Sequence, residues 1–169
     1  MNKKFIYILI GLVVCFASFT FFYTYPKEIN KSFNGILFQL GSENSDFEET
    51  VQIKVNGKIK QELFGDRYFI GTITINDQVL PPSDAREQQV KFIIGDNNGA
   101  LIQYIRKDSI LAYGKIFIKN DFDALTIAIY EDDGWDSEDG KILSAPATNR
   151  EEALKIANEL FFPMAKPFK

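Results

Sequence analysis

The side chains available for chemistry in this chain are carboxylates, lysines and tyrosines. The sequence has no histidine, and its single cysteine, Cys15, lies in a long apolar segment. Without histidine the chain lacks the usual base near neutral pH, histidine-based triads and histidine metal ligands. No glycine-rich loop precedes a helix in a phosphate-cradling pattern. The sequence therefore predicts no catalytic residue, no metal site and no cofactor, and an enzyme would have to use carboxylate pairs, as glycosidases do.

The acids are concentrated in residues 131–140, which read EDDGWDSEDG and contain six carboxylates and no base. Calcium prefers oxygen ligands, so a calcium site is one interpretation of this segment. An EF-hand loop, however, has glycine as the sixth residue after a first aspartate, and five residues before Gly134 and Gly140 stand Ile129 and Trp135. Because acid runs are usually solvated, we interpret the segment as a solvated loop that follows a strand.

Asp133, Trp135 and Asp136 are the candidate binding residues of this loop. Trp135 is the only tryptophan of the sequence. A tryptophan among acids can pack against the edge of a sheet, or it can be exposed as a contact residue. The packed arrangement is the one that we expect.

The charge of the chain narrows the classes of partner. The formal net charge is -4, and the part after the apolar segment carries -6, because Lys3 and Lys4 are the only charges before position 27. An acidic domain repels polyphosphates and anionic headgroups, which argues against nucleic acid as a partner. A protein or a cell-envelope component is the expected partner.

A membrane anchor is expected to hold this domain. Residues 5–25 read FIYILIGLVVCFASFTFFYTY and contain no charged side chain. A helix of about 20 residues crosses a hydrocarbon layer roughly 30 Å thick. We therefore expect residues 1–26 to form a transmembrane signal anchor, with the lipid bilayer as its partner.

Two alternatives to an anchor fit less well. A cleaved signal peptide usually has a shorter apolar core that ends in small residues, whereas this run continues through Phe19, Phe21 and Phe22. A lipoprotein signal needs a small residue before its cysteine and polar residues after it. Val14 stands before Cys15, and apolar residues follow.

The flanking lysines set the expected orientation. Lys3 and Lys4 precede the apolar run, while Lys27 and Lys31 follow it with Glu28 between them. Together with the amino terminus, the first pair favours a cytoplasmic N-terminus by the positive-inside rule. The expected location is the cell membrane, in a single pass, with the C-terminal domain extracytoplasmic.

Beyond an expected juxtamembrane link at residues 27–35, the hydrophobic pattern has a period of two, which is typical of strands with one buried face. Asn-Gly and Asn-Asp pairs separate these runs. Short strands with tight turns predict a mainly β fold over residues 36–169, as an antiparallel β-sandwich or barrel-like domain. The alternating apolar residues are Val51, Ile53, Val55, Ile73, Ile75, Val90, Phe92, Ile94, Ile116, Ile118, Leu125, Ile127 and Ile129.

Two glycines carry local predictions. Asn56-Gly57 predicts a hairpin turn. A two-residue turn would pair Val55 with Lys58, so we expect an odd loop with Gly57 in a left-handed conformation. Gly71, inside an apolar run, is expected at a bulge or at a close approach of two backbones.

The end of the chain changes to a helical period. Residues 149–162 are expected to form a helix with an apolar stripe that packs on the sheet. Thr148 and Glu151 have the spacing of a capping box, and Pro163 is expected to end the helix.

Three segments carry a resemblance to a known group. Residues 144–153, SAPATNREEA, together with FNGI at 33–36 and GTI at 71–73, resemble a set of short membrane-anchored proteins of low-GC Gram-positive bacteria. The resemblance implies the anchor, the strands, the final helix and a bacterial setting. No activity is assigned to that group, so it implies no functional residue.

The expected function is a non-enzymatic, membrane-tethered, extracytoplasmic binding or interaction module. A hydrolase that uses carboxylates is one alternative, and it requires a cleft with two acids about 5–10 Å apart. An inhibitor or immunity-type protein that blocks a secreted toxin or enzyme is the other.

Overall fold

A computed structural model of the chain describes residues 3–41, 46–131, 134–161 and 168. The first element is helix α1, Lys3–Thr24. At about 1.5 Å per residue it is about 33 Å long. Its segment Ile6–Thr24 is long and apolar enough to cross a membrane, and none of it is buried inside the protein.

Nine antiparallel strands and a second helix follow within the described residues. The elements are β1 (Lys27–Gln39), β2 (Glu48–Gln61), β3 (Arg67–Ile75), β4 (Gln78–Leu80), β5 (Val90–Ile94), β6 (Gly99–Arg106), β7 (Ser109–Lys119), β8 (Ala124–Ile129), β9 (Lys141–Ala145) and α2 (Arg150–Phe161). Along strands such as β2 and β5, buried apolar residues alternate with more exposed ones, as the period of two predicts.

The strands form one curled sheet in the order β4-β3-β2-β1-β9-β8-β7-β6, and β5 also pairs with β3. Strand β5 contacts β6, and the Gly95 N–H donates to the Gly99 carbonyl at 3.0 Å where the two strands are joined. The two ends of the sheet therefore approach each other, and the sheet curls into a half-barrel. The prediction of a mainly β fold is confirmed. Of its two alternatives, the sandwich and the barrel-like domain, the structure has the barrel-like one.

The half-barrel buries a different set of residues on each face. Its inner face holds the larger core, in which the ring of Phe69 packs on those of Phe92 and Phe122 at centroid distances of 5.2 and 5.0 Å. On the outer face, Ile36, Phe38, Phe117, Ala128 and Ile142 pack against α2 and Phe168. Because α2 covers β8 from outside, every residue from Ala124 to Ala128 is buried. The expected packing of the final helix on the sheet is confirmed.

The expected link at residues 27–35 is wrong. These residues form most of β1, which begins at Lys27 and pairs with β2 from Lys27↔Ile59 onwards. Only Tyr25 and Pro26 separate α1 from β1. The segment is largely polar and so gives no strand pattern, but β2 pairs with it along the whole length.

The expected turn at Asn56-Gly57 is also wrong. Both residues lie inside β2, and the register with β3 continues through them as Asn56↔Thr72 and Gly57↔Gly71. Gly57 is not among the glycines with positive φ. A Cβ on either glycine would collide with the opposing backbone and with the ring of Phe69. The close backbone approach expected at Gly71 is therefore confirmed, and Gly57 is its counterpart.

The start of α2 differs by one residue from its prediction. The helix runs Arg150–Phe161, and Asn149 is its cap, because its Oδ1 accepts the N–H of Glu152 at 2.9 Å. Glu152, rather than Glu151, accepts bonds from the N–H and the hydroxyl of Thr148, at 2.9 and 2.8 Å. These bonds hold the pKa of the Glu152 carboxyl below its ordinary value. Pro163 lies outside the described residues.

Candidate functional site

A cleft of about 640 Å³ opens where β1 and β8 end and β9 begins. Strand register brings these elements together, since Gln39 at the end of β1 pairs with Lys141 at the start of β9. The loop between β8 and β9, which we call the acidic loop (residues 130–140), forms most of the wall. The described lining residues are Gln39, Ile129, Glu131, Gly134, Trp135, Asp136, Ser137, Asp139, Gly140 and Lys141.

The acidic loop folds through two tight local structures. Glu131 and Gly134 exchange two backbone hydrogen bonds, each 2.9 Å long. Gly134 has a φ of 100°, a conformation that only glycine adopts freely. Further on, the Oδ1 of Asp136 accepts the N–H of Glu138 at 2.7 Å, and the Asp136 carbonyl accepts the N–H of Gly140 at 2.9 Å. The carboxylate of Asp136 thus shapes the loop and also borders the cleft.

Trp135 packs against the body of the protein. Its indole Nε1 donates to the Lys141 carbonyl at 3.2 Å. The ring lies 5.6 Å from that of Phe161 and 6.0 Å from that of Phe168, centroid to centroid. Gly140 lies so close to the indole that a Cβ there would meet its Nε1 and Cδ1 atoms. The packed arrangement expected of Trp135 is confirmed, and one side of the half-buried indole still lines the cleft.

The charges at the cleft are mostly negative. Glu131 forms an ion pair with Lys141, with 2.7 Å between the Oε1 and Nζ atoms. Asp136 and Asp139 also line the cleft, and both are exposed. The structure brings Trp135 and Asp136 to one site, whereas Asp133, the third candidate binding residue, lies outside the described residues. In the described ranges no group of three or more acids, histidines or cysteines is arranged to hold a metal ion.

Sequence reasoning missed three residues of this site. Gln39 and Lys141 reach the cleft because β1 and β9, about 100 positions apart in the chain, pair with each other. No local feature of the sequence predicts that register. Phe161 lies in the helix predicted at the end of the chain, where only packing on the sheet is expected, and its ring is the surface on which Trp135 packs. Comparisons with protein-family models, with curated proteins and with solved structures found no match for this chain.

Proposed function

We propose that this chain is a non-enzymatic, membrane-tethered binding module on the outer face of a bacterial cell membrane. Its binding site is the cleft of the acidic loop, and its partner is a positively charged segment of a protein or a cell-envelope component. The observation that carries this proposal is the course of β1. Two residues separate this strand from the apolar helix, and the strand ends at Gln39 in the wall of the cleft.

The length of β1 supports a tether with a defined reach. Thirteen residues at about 3.3 Å each span roughly 40 Å. Since β1 pairs with β2 from Lys27 to Phe38 and with β9 from Ile36 to Gln39, the sheet holds the strand and it cannot bend freely. A helix in the bilayer would therefore hold the cleft a few nanometres from the membrane surface, where an extracellular partner can reach it.

The chemistry of the cleft favours a cationic partner. Asp136 and Asp139 line it beside the ion pair of Glu131 with Lys141, and the part of the chain beyond the apolar segment carries a net charge of -6. Such a field attracts cations and repels anions. The indole of Trp135 offers an aromatic face that lysine, arginine and quaternary amines recognise. Lysine- or arginine-bearing peptides and amine-substituted wall polymers share this chemistry.

The orientation can be tested with a single cysteine. In a Cys15→Ala background, Ser83→Cys places one thiol in the exposed loop after β4. Intact cells are treated with a membrane-impermeant maleimide, and the same cells after lysis serve as the control. Labelling before lysis is expected. Labelling only after lysis would place the domain in the cytoplasm and overturn the extracytoplasmic part of the proposal.

Binding can be tested on the full chain in detergent, since Trp135 is the only tryptophan and reports on the cleft. We expect a lysine-rich peptide, and not a glutamate-rich one, to change its fluorescence, with an affinity that falls as salt rises. Asp136→Asn keeps the Oδ1 acceptor of the loop and should weaken binding by up to about fivefold. Asp77→Asn is the matched control, because it removes the same charge in a turn far along the chain from the cleft.

Two results would overturn the binding proposal. One is equal affinity of the wild type, Asp136→Asn and Asp139→Asn for the lysine-rich peptide. The other is hydrolysis of a wall polysaccharide by the wild-type chain that Asp136→Asn or Asp139→Asn abolishes, which would make the chain a carboxylate-based hydrolase instead.

A further inference from the structure

The loop between β2 and β3, residues 62–66, presents an exposed aromatic ring. Phe64 at its tip is 94% exposed, although a phenylalanine normally buries most of its surface. The loop is nevertheless ordered by its own hydrogen bonds. The Glu62 N–H donates to the Asp66 carbonyl at 3.1 Å, and the Gln61 Nε2 donates to the carbonyls of Glu62 and Gly65 at 3.2 Å each.

This loop lies at the end of the sheet where α1 enters it. Lys27, the first residue of β1, pairs with Ile59, and β2 continues past that pair to Gln61. At about 3.4 Å per residue, Gln61 lies about 7 Å beyond Lys27, and the loop extends further in the same direction. Thr24, the last residue of α1, can be at most about 11 Å from Lys27, because three Cα steps separate them. The end of α1 and Phe64 therefore lie at the same end of the sheet.

This end of the sheet contacts the helix, and it carries an ion pair beside the helix exit. Helix α1 contacts β2. Lys58 of β2 forms an ion pair with Glu28, with 2.8 Å between the Nζ and Oε1 atoms, directly after the helix exit. Tyr25, in the two-residue connection, is 65% exposed, and tyrosine is enriched where helices leave the bilayer.

We infer that the tip of the β2–β3 loop inserts Phe64 into the interface of the same bilayer that holds α1. The inference rests on the membrane attachment proposed above. The second contact point would fix the tilt of the half-barrel, so that the cleft at the far end of β1 faces away from the membrane. An aromatic ring at the level of the headgroups gains from losing contact with water.

The charges near the loop indicate which lipids matter. Asp121 forms ion pairs with two of the bases at this end of the sheet. The loop and its flanks carry four bases and three acids, and therefore form no basic patch. These residues are Lys27, Glu28, Lys58, Lys60, Glu62, Asp66 and Arg67. Polybasic segments bind anionic lipid electrostatically, whereas this loop would insert by its ring alone. Insertion should therefore not require anionic lipid.

The test uses the full chain in a Cys15→Ala background, reconstituted into phosphatidylcholine vesicles. Phe64→Cys carries an environment-sensitive fluorophore, and Val79→Cys is the matched control. Val79 is also an exposed apolar residue, but it lies on β4 beside Thr74, towards the opposite end of the sheet. We expect the label at position 64 to shift to the blue and to be quenched by lipids with a quencher near the headgroup. The label at position 79 should show neither effect.

The outcomes separate this inference from the membrane attachment. If the protein floats with the vesicles but the label at position 64 stays in water, α1 is an anchor and the loop inference is wrong. If the protein does not float with the vesicles, both the attachment and the inference are wrong. If insertion requires phosphatidylglycerol, the contact is electrostatic and insertion by the ring alone is wrong.

Discussion

The indole of Trp135 stacks on the ring of Phe161, with the ring planes 25° from parallel and the centroids 5.6 Å apart. Trp135 belongs to the acidic loop, and Phe161 is the last residue of α2. Phe161 also packs on Phe117 of β7, at a centroid distance of 4.3 Å. The wall of the cleft is therefore supported by the same side chain that fixes the end of α2 on the sheet.

Truncation of that side chain should loosen the helix and the cleft together. Phe161 is 7% exposed, and Phe161→Ala should lower the free energy of unfolding by about 3–5 kcal/mol, the usual range for a buried phenylalanine. The native fluorescence of Trp135 should shift to the red, because the indole loses a stacking partner. Urea unfolding followed by tryptophan fluorescence measures both effects.

Phe64→Ala is the matched control for this prediction. It makes the same chemical change at a side chain that is 94% exposed, so in detergent it should change stability by less than about 0.5 kcal/mol. Equal losses in the two variants would mean that Phe161 is not a packing residue.

The glycine pair in the centre of β2 and β3 should tolerate no side chain. In Gly71→Ala the new Cβ would meet the carbonyl oxygen of Asn56 and the ring of Phe69. Overpacking of this kind costs about 1–3 kcal/mol. Gly95→Ala is the control, because its Cβ would find only ordinary contacts at 3.4 Å or more. Comparison of the two urea midpoints tests the prediction, and it fails if Gly71→Ala is as stable as Gly95→Ala.

The alternation of apolar residues carried most of the fold prediction. Val51, Ile53 and Val55 lie on the inner face of the half-barrel, as do Leu125 and Ile127. A strand with one buried face must repeat every two residues, so a sequence pattern can identify it without knowledge of its partner. The class of fold was therefore readable from the sequence.

Tertiary pairing decided the points at which the prediction failed. Asn56-Gly57 has a strong local preference for a turn, but Gly57 stands opposite Gly71 and both are covered by Phe69. The packing of that ring prevailed over the local preference. Gln39 and Lys141 meet only through the register of β1 and β9. Such contacts depend on which strands pair, and the local patterns of a sequence do not show that pairing.

A buried pair of hydroxyls beneath α2 should show strong coupling. The Oγ1 of Thr126 and the Oγ of Ser144 are 2.9 Å apart, and both residues are fully buried. Thr126→Val removes one hydroxyl and leaves the buried Ser144 hydroxyl without this partner. The free energy of unfolding should fall by about 1–3 kcal/mol. Adding Ser144→Ala to Thr126→Val should recover part of that loss. A double-mutant cycle by urea unfolding measures the coupling, and strictly additive effects would contradict it.

Asp121 should make the stability of the domain depend on pH in the acid range. Its carboxylate forms ion pairs with Lys27 and with Arg67, the latter at 2.6 Å, and joins the start of β1 to the β7–β8 turn and to β3. Burial alone would raise the pKa of Asp121, but the hydrogen bonds and charges of Lys27 and Arg67 outweigh it, so the pKa lies below its ordinary value. The ionised form is thus favoured in the folded state.

The sign of the pH effect follows from linkage. A carboxyl with a lowered pKa in the folded state contributes stability above its unfolded pKa, about 3.9, and that contribution is lost as the pH falls through the folded pKa. Asp121→Asn should therefore be less stable than the wild type near about pH 7, by about 1 kcal/mol for a partly exposed ion pair. The difference should shrink below about pH 4. Urea midpoints of both proteins across this range measure it, and a difference that stays constant or grows towards low pH would show that the ion pairs do not stabilise the fold.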